Sequence, residues 1–141
     1  MRKKVFFGTG ILLFCVLLIC VIGWGIYSAL KPHRNAEGEQ AVATLSASDL
    51  YNDFQRSENL ANKKWTGKVI EVSGIISSIN EAGSYVSINL RATDEGGINC
   101  SILKKDLNPD YKINKGDSIT IKGKCTGFLM DVNLVDCVVK K

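Results

Sequence analysis

Three successive patterns of hydrophobic and polar positions divide the sequence, and the first is a long stretch without charge. Residues 5–30 carry no charged side chain, and about 20 apolar residues in a helix suffice to cross a bilayer. Trp24 and Tyr27 near its end suit the aromatic belt of a membrane interface. A cleavable signal peptide has a shorter apolar core and small residues before its cleavage site. We therefore predict an uncleaved transmembrane helix over residues 5–30.

Charge is distributed unevenly on the two sides of this stretch. Arg2, Lys3 and Lys4 precede it, whereas Lys31 and Arg34 follow it. Because basic flanks stay in the cytoplasm, residues 1–4 are the predicted cytoplasmic region and the rest of the chain lies across the membrane. Removing those three from the 18 basic residues leaves 15, against 14 acidic ones. The outer part is therefore close to neutral.

The second pattern is helical. Residues 31–45 contain Pro32 and Gly38 but no aromatic side chain, which indicates a tether. Apolar residues then recur on one face of a helix that is predicted from about Ser48 to Asn62, at Ala47, Leu50, Tyr51, Phe54 and Ala61. Since such a stripe must cover an apolar surface, residues 46–141 are predicted to form one domain from this helix and the β-structure that follows.

The third pattern, from Lys68 onward, alternates with a period of two and predicts five strands. The first, Lys68–Ile79, is the longest, and Ile79 is out of phase, so a bulge or bend is expected after Gly74. Barrel closure removes exposed strand edges, and a long bent first strand can serve both halves of a rolled sheet. We predict a mainly β fold: a five-stranded OB-type barrel preceded by one amphipathic helix, plus the N-terminal transmembrane helix. Periodicity alone leaves an SH3-like barrel or a small sandwich open.

Several of these segments resemble a bacterial OB-fold family, the tRNA_anti-like domain proteins. The resemblance runs from about Lys31 to the C-terminus. It rests on a set of segments that is specific as a whole: residues 31–34, 58–62, 67–74 and 115–128, followed by residues 131–134 and Cys137. It implies an OB fold on a membrane or lipoprotein anchor in bacteria such as the Bacteroidetes. With the charge pattern, it predicts a single-pass inner-membrane protein whose C-terminal domain is periplasmic. The resemblance establishes no ligand and carries no catalytic residues.

The candidate ligand-binding surface follows from the barrel. OB barrels often bind ligands on strands two and three and on their first and last hairpin loops, where the outward residues are Tyr85, Ser87, Asn89, Arg91, Asn99, Ser101 and, in the last loop, Phe128. One aromatic and one arginine on this face are few for stacking bases in a positive groove. We therefore favour a non-enzymatic binding module for an envelope protein, a peptide or a small ligand. A domain that binds single-stranded nucleic acid, such as tRNA or single-stranded DNA, is the alternative.

The last hairpin holds three consecutive apolar residues, Phe128, Leu129 and Met130. They either fold back into the mouth of the barrel or dock a partner, since an apolar run exposed to water needs a functional reason. Trp65, just before the first strand, is expected to cap the barrel beneath the helix.

Five cysteines are the remaining reactive groups. Cys15 and Cys20 lie in the apolar stretch, and Cys125 and Cys137 flank the last hairpin, which makes them candidates for a disulfide. Cys100 paired with Cys137, or three reduced buried thiols, are the other readings. No short Cys-x-x-Cys occurs and the only histidine lies in the tether, which argues against a zinc site and against a cysteine–histidine nucleophile. Without a phosphate-binding glycine loop either, the sequence predicts no metal, no cofactor and no enzymatic activity.

Overall fold

The computed structural model describes residues 14–25, 36–110 and 112–140 of the chain. The chain divides into two units, Met1–His33 and Arg34–Lys141. In the first unit, residues 14–25 form a helix, α1, with exposed side chains. The rest of the predicted segment 5–30 and the predicted cytoplasmic residues 1–4 lie outside the described residues.

Within the described ranges, no helix has both the length and the hydropathy that crossing a membrane requires.

The second unit contains two helices where the sequence predicts one. α2 spans Ala47–Arg56 and α3 spans Glu58–Trp65. Ser57 separates them: its backbone is extended, and its hydroxyl accepts a hydrogen bond from the backbone N–H of Leu60. A serine that caps a new helix competes with continuation of the old one. The single predicted helix is therefore broken at Ser57.

Six strands form the sheet, and five of them close into the predicted barrel. They are β1 (Thr44–Ser46), β2 (Val69–Ala82), β3 (Tyr85–Arg91), β4 (Gly97–Leu103), β5 (Ser118–Phe128) and β6 (Val132–Lys140). Their order is β1-β2-β3-β4-β6-β5, and β5 also pairs with β2, which closes β2 to β6 into a ring. The OB-type barrel is confirmed.

The long first barrel strand, β2, bends in the way its sequence predicts. Its first half pairs with β5 and its second half with β3, and the register shifts between Ile76 and Ser78. A Cβ on Gly74 would lie 3.0 Å from the Cβ of Ala47 and 3.2 Å from that of Leu90. The glycine therefore lets α2 approach the strand closely, and the bulge follows it.

Most of the predicted tether belongs to the folded unit. Ala36–Gly38 form a 3-10 helix, and β1 lies parallel to β2 along residues 71–73. The Lys122 side chain, only 7% exposed, donates hydrogen bonds to the carbonyl oxygens of Glu37 at 2.8 Å and of Glu39 at 2.9 Å. Backbone hydrogen bonds also hold this segment, since Val42 donates to Val69 and Glu71 donates to Ala43. Such bonds do not depend on side chains, so no hydrophobic pattern in the sequence predicts them. Residues 31–35 lie outside the described part.

The helices cover the barrel through a layer of aromatic side chains. α2 packs against β2, β3, β4 and β6, while α3 packs against β5. Leu50, Phe54 and Trp65 are buried in one core with the inward residues of the strands. Trp65 donates its indole N–H to Asp53 at 2.9 Å, and Lys64 lies 3.0 Å from the same carboxylate. The hydrogen bond from Lys64 is the main cause that lowers the pKa of Asp53, so the two helices are tied by a carboxylate that stays charged.

Candidate functional site

The outward faces of four adjacent strands carry a continuous band of small uncharged polar side chains. We call it the Asn/Ser ribbon; its members are Ser78, Ser87, Asn89, Asn99, Ser101 and Asn133. The register places Ser87 opposite Ser101, and Asn89 between Ser78 and Asn99. Asn99 is in turn level with Asn133. The ribbon therefore crosses β2, β3, β4 and β6 in order.

Hydrogen bonds within the ribbon fix the orientation of its amides. Asn89 donates from Nδ2 to the hydroxyl of Ser78 at 2.9 Å, and Ser87 donates to Oδ1 of Asn99. Asn99 donates from Nδ2 to Oδ1 of Asn133 at 3.3 Å. A carboxamide can donate two hydrogen bonds and accept two. The network thus orders these half-buried groups and leaves them further capacity to bind a ligand.

At one end the ribbon opens into a cleft of ≈ 530 Å³ beside the β3–β4 turn. Arg91 lines this cleft together with Asp94, Glu95 and Asp131. Asp131 accepts a hydrogen bond from the backbone N–H of Gly97 at 2.7 Å, which ties the β5–β6 turn to β4. Since three carboxylates accompany the single guanidinium, this end of the ribbon is not a cationic groove.

At the other end, Tyr85 begins β3 with its side chain partly exposed, opposite Leu103. Lys104, which follows Leu103, forms an ion pair of 2.8 Å with Glu81. The charge of this lysine is therefore matched by a carboxylate as well. The Arg91 end of the ribbon therefore carries an excess of carboxylates, and the Tyr85 end carries a matched ion pair.

Phe128 does not lie with the other predicted ligand-face residues. Its ring centroid is 5.7 Å from those of Tyr51 and Phe54, so the side chain packs beneath α2. Leu129 and Met130, next in the chain, are 86% and 85% exposed at the hairpin tip. The apolar run therefore divides, with one residue folded back against the helix and two presented to solvent next to Asp131.

The two predicted disulfide candidates are not bonded to each other. Cys100, Cys125 and Cys137 are all free, buried thiols. The register places Leu134, not Cys137, across from Cys125. Burial and the nearby Cys100 raise the pKa of the Cys137 thiol. Cys137 turns into the core because β6 has a bulge just before it, where Asp136 has a φ of 53°, in the left-handed region. In the described ranges, no group of three or more histidine, cysteine or acidic side chains could hold a metal ion.

Six of the seven predicted ligand-face residues lie on the outward side of β3 and β4, whereas Ser78 and Asn133 of the ribbon were not among the predicted residues. Ser78 comes just after the register shift in β2, which changes the phase of the alternation. Asn133 joins the ribbon through the parallel pairing of β4 with β6. The alternation of polar and apolar residues within one strand reveals neither the register shift nor the parallel pairing, because both depend on which strands lie side by side.

The comparisons with known proteins agree with this fold. The sequence model of the tRNA_anti-like family matches residues 1–139, and no curated protein matches the chain. A crystal structure of a lipoprotein from Klebsiella pneumoniae subsp. pneumoniae, thought to bind nucleic acid, is similar with a TM-score of 0.58 at 22% identity, over 79% of this chain and 100% of that one. At that identity the likeness concerns the fold.

Two weaker structural likenesses cover about half of the chain. Asparaginyl-tRNA synthetase from Pyrococcus horikoshii has a TM-score of 0.42 at 14% identity, over 55% of this chain and 19% of that one. The Stn1–Ten1 complex of S. pombe has a TM-score of 0.38 at 16% identity, over 48% and 52% of the two chains.

Proposed function

Because the chain belongs to the tRNA_anti-like family, we propose that it is a non-enzymatic OB-fold binding module and that its partner is a segment of another protein. The observation that carries this proposal is the uncharged Asn/Ser ribbon, which runs up to a hairpin tip with two exposed apolar side chains. Amide and hydroxyl groups match the donors and acceptors of a peptide backbone. An extended polypeptide could therefore lie along the ribbon.

The hairpin tip supplies the apolar part of the proposed contact. Leu129 and Met130 are almost fully exposed, and burying a side chain of this size stabilises a complex by about 1.5–3 kcal/mol. Methionine is flexible and polarizable, which suits a surface that adapts to a partner. Asp131 holds the end of this turn against Gly97, so the tip is anchored next to the ribbon and the two surfaces can act together.

A single-stranded nucleic acid is the second candidate, and Tyr85 and Arg91 favour it. Both have exposed side chains on β3, where an aromatic ring could stack on a base and a guanidinium could contact a phosphate. The Klebsiella lipoprotein of similar fold is thought to bind nucleic acid. The three carboxylates beside Arg91 weigh against this candidate, because phosphate binding draws its affinity from unopposed positive charge.

A crosslinking experiment tests the protein-partner proposal. The full chain carries a photo-crosslinking amino acid at Met130 or, as the matched control, at Lys124, which is exposed on β5, a strand that pairs with neither β3 nor β4. We expect one discrete protein adduct from Met130 and none from Lys124 after irradiation of intact cells. Asn99→Ala combined with the Met130 probe should reduce the adduct about tenfold, the equivalent of about 1.4 kcal/mol.

Fluorescence anisotropy of labelled oligo-dT and oligo-U measures the competing function with the same protein. Micromolar binding that weakens steeply with salt would support nucleic acid. Equal adducts from Met130 and Lys124 would exclude the ribbon as the docking surface.

We also propose that residues 5–30 anchor the chain in the bacterial inner membrane and that the barrel lies in the periplasm. The charge-free run and the three basic residues before it support this orientation. Alkaline phosphatase fused after Leu30 or Lys141 is then expected to be active, and green fluorescent protein at the same positions to be dark. Fluorescent fusions at Lys141 would contradict the periplasmic location and would strengthen the nucleic-acid candidate.

A further inference from the structure

The barrel closes through its shortest strand pairing, between β4 and β6. These strands run parallel and pair only from Ile98 with Val132 to Cys100 with Leu134. By contrast, β5 and β6 pair along most of their length. The β4–β6 seam, defined by these paired residues and those that follow them on each strand, therefore has the fewest backbone hydrogen bonds of the ring.

Two cysteines face the inside of the barrel at the end of this seam. Cys100 of β4 and Cys137 of β6 are both buried, at 0% and 1% exposure. Cys100 pairs with Leu134, and Cys137 comes three residues later on the same strand, after the bulge at Asp136. Besides burial, interactions with Cys100 and with the backbone of Ser101 shift the pKa of the Cys137 thiol. The two thiols thus face one core from neighbouring strands and are near enough to interact.

The surrounding backbone is built to place the Cys137 sulfur there. Val132 and Leu134 point inward, so strict alternation along β6 would make Asp136 the next inward side chain. Asp136 instead has a left-handed φ of 53°, and Cys137 points inward in its place. Gly123 of β5 makes the space, because a Cβ at that position would overlap the Cys137 sulfur. Cys125 is also buried, but it faces Leu134 across the β5–β6 pair.

We propose that Cys100 and Cys137 form a disulfide that closes the β4–β6 seam covalently when the chain folds in the presence of a disulfide oxidant. The thiolate of one cysteine attacks the oxidant's disulfide, which gives a mixed disulfide and releases one thiol. The second cysteine attacks the protein sulfur of that mixed disulfide, the bond between the two cysteines forms, and a second thiol leaves. Two electrons pass to the oxidant, and the two cysteine protons end on its released thiols.

The bond must form before the barrel is fully packed. Burial raises the pKa of Cys137 well above its ordinary value, and the adjacent Cys100 raises it further. Because the thiolate is the reactive species, the folded, reduced chain is expected to react slowly, whereas the folding chain reacts readily. Disulfides of this kind persist in oxidising compartments, although the chemistry itself needs only an oxidant.

Refolding tests the proposal on the full chain without reference to its location. The reduced, denatured chain is refolded with oxidised and reduced glutathione and the free thiols are alkylated. We expect the five cysteines to yield three alkylated thiols, with Cys100 linked to Cys137. Cys125 and Cys137 share one tryptic peptide, so trypsin alone cannot tell a Cys100–Cys137 link from a link to Cys125. Asp131 and Asp136 lie between Cys125 and Cys137, and an Asp-specific protease therefore puts the two cysteines on separate peptides.

Matched variants complete the test. Cys125→Ala should retain the link, whereas Cys100→Ala and Cys137→Ala should each lose it, and circular dichroism reports whether each variant folds. Peptide mapping of the unsubstituted chain needs no variant at all. A Cys125–Cys137 link, or full alkylation of Cys100 and Cys137 after oxidative refolding to native circular dichroism, would overturn the proposal. Neither result would affect the crosslinking test of the ribbon.

Discussion

Replacing Phe54 with alanine is expected to lower the free energy of unfolding by about 3–5 kcal/mol, the usual cost of removing a buried phenylalanine. Phe54 is fully buried in α2, and its ring stacks on Phe128 with centroids 5.7 Å apart. The substitution leaves a cavity beneath the helix and removes the partner that folds Phe128 inward. Urea unfolding followed by circular dichroism measures the loss.

Leu60→Ala is the matched control, since Leu60 is an apolar residue on the neighbouring helix that is largely exposed. Its expected effect is within about 0.5 kcal/mol, as for other surface substitutions. If the Phe54→Ala and Leu60→Ala variants unfold at the same urea concentration, burial of the Phe54 ring against Phe128 does not stabilise the fold more than an exposed leucine does.

Lys122→Met is the second substitution with a large expected effect, a loss of about 1.5–3 kcal/mol. Methionine keeps much of the length of the side chain but cannot donate to the carbonyl oxygens of Glu37 and Glu39, which Lys122 binds at 2.8 and 2.9 Å. A hydrogen bond to a charged group contributes about 1.5–3 kcal/mol, and both of these bonds come from the ammonium group of Lys122. Hydrogen exchange over residues 36–43 should accelerate in the same variant, because this segment can detach from the barrel and recover hydrogen bonds with water.

Lys124→Met provides the control two residues along the same strand, where the side chain is exposed. It removes the same charge and introduces the same side chain, so the difference between the two variants isolates the contact with residues 36–39. Equal stability and equal exchange rates would show that Lys122 does not hold this segment.

The barrel could be predicted from the sequence because its strands alternate cleanly. Val86, Ile88 and Leu90 point inward and their neighbours outward, and each strand of the β3–β4 pair repeats this period. The break at Ser57 and the strand β1 could not be predicted in the same way. A serine is compatible with either a helix surface or a cap, and a three-residue strand is too short to establish a period.

The sequence predicts those ribbon residues whose orientation follows from the alternation within one strand. It does not predict those that join the ribbon through the pairing of distant strands. Asn89 and Asn99 follow directly from the alternation of β3 and β4. Asn133 and the thiol pair of Cys100 and Cys137 depend on the parallel pairing of β4 with β6 and on the bulge at Asp136. These features depend on closure of the barrel, which brings together residues that are far apart in the sequence. A short stretch of sequence therefore cannot reveal them.

The strand β1 has a practical consequence for work on fragments of this protein. It covers residues 71–73 along the edge of β2 that β3 does not reach. A fragment that starts at Ala47, where the first helix of the unit begins, would leave these peptide groups open to pairing with another copy, and such bare edges promote aggregation. Shortened forms intended for solution work should therefore retain the residues from Ala36 onward.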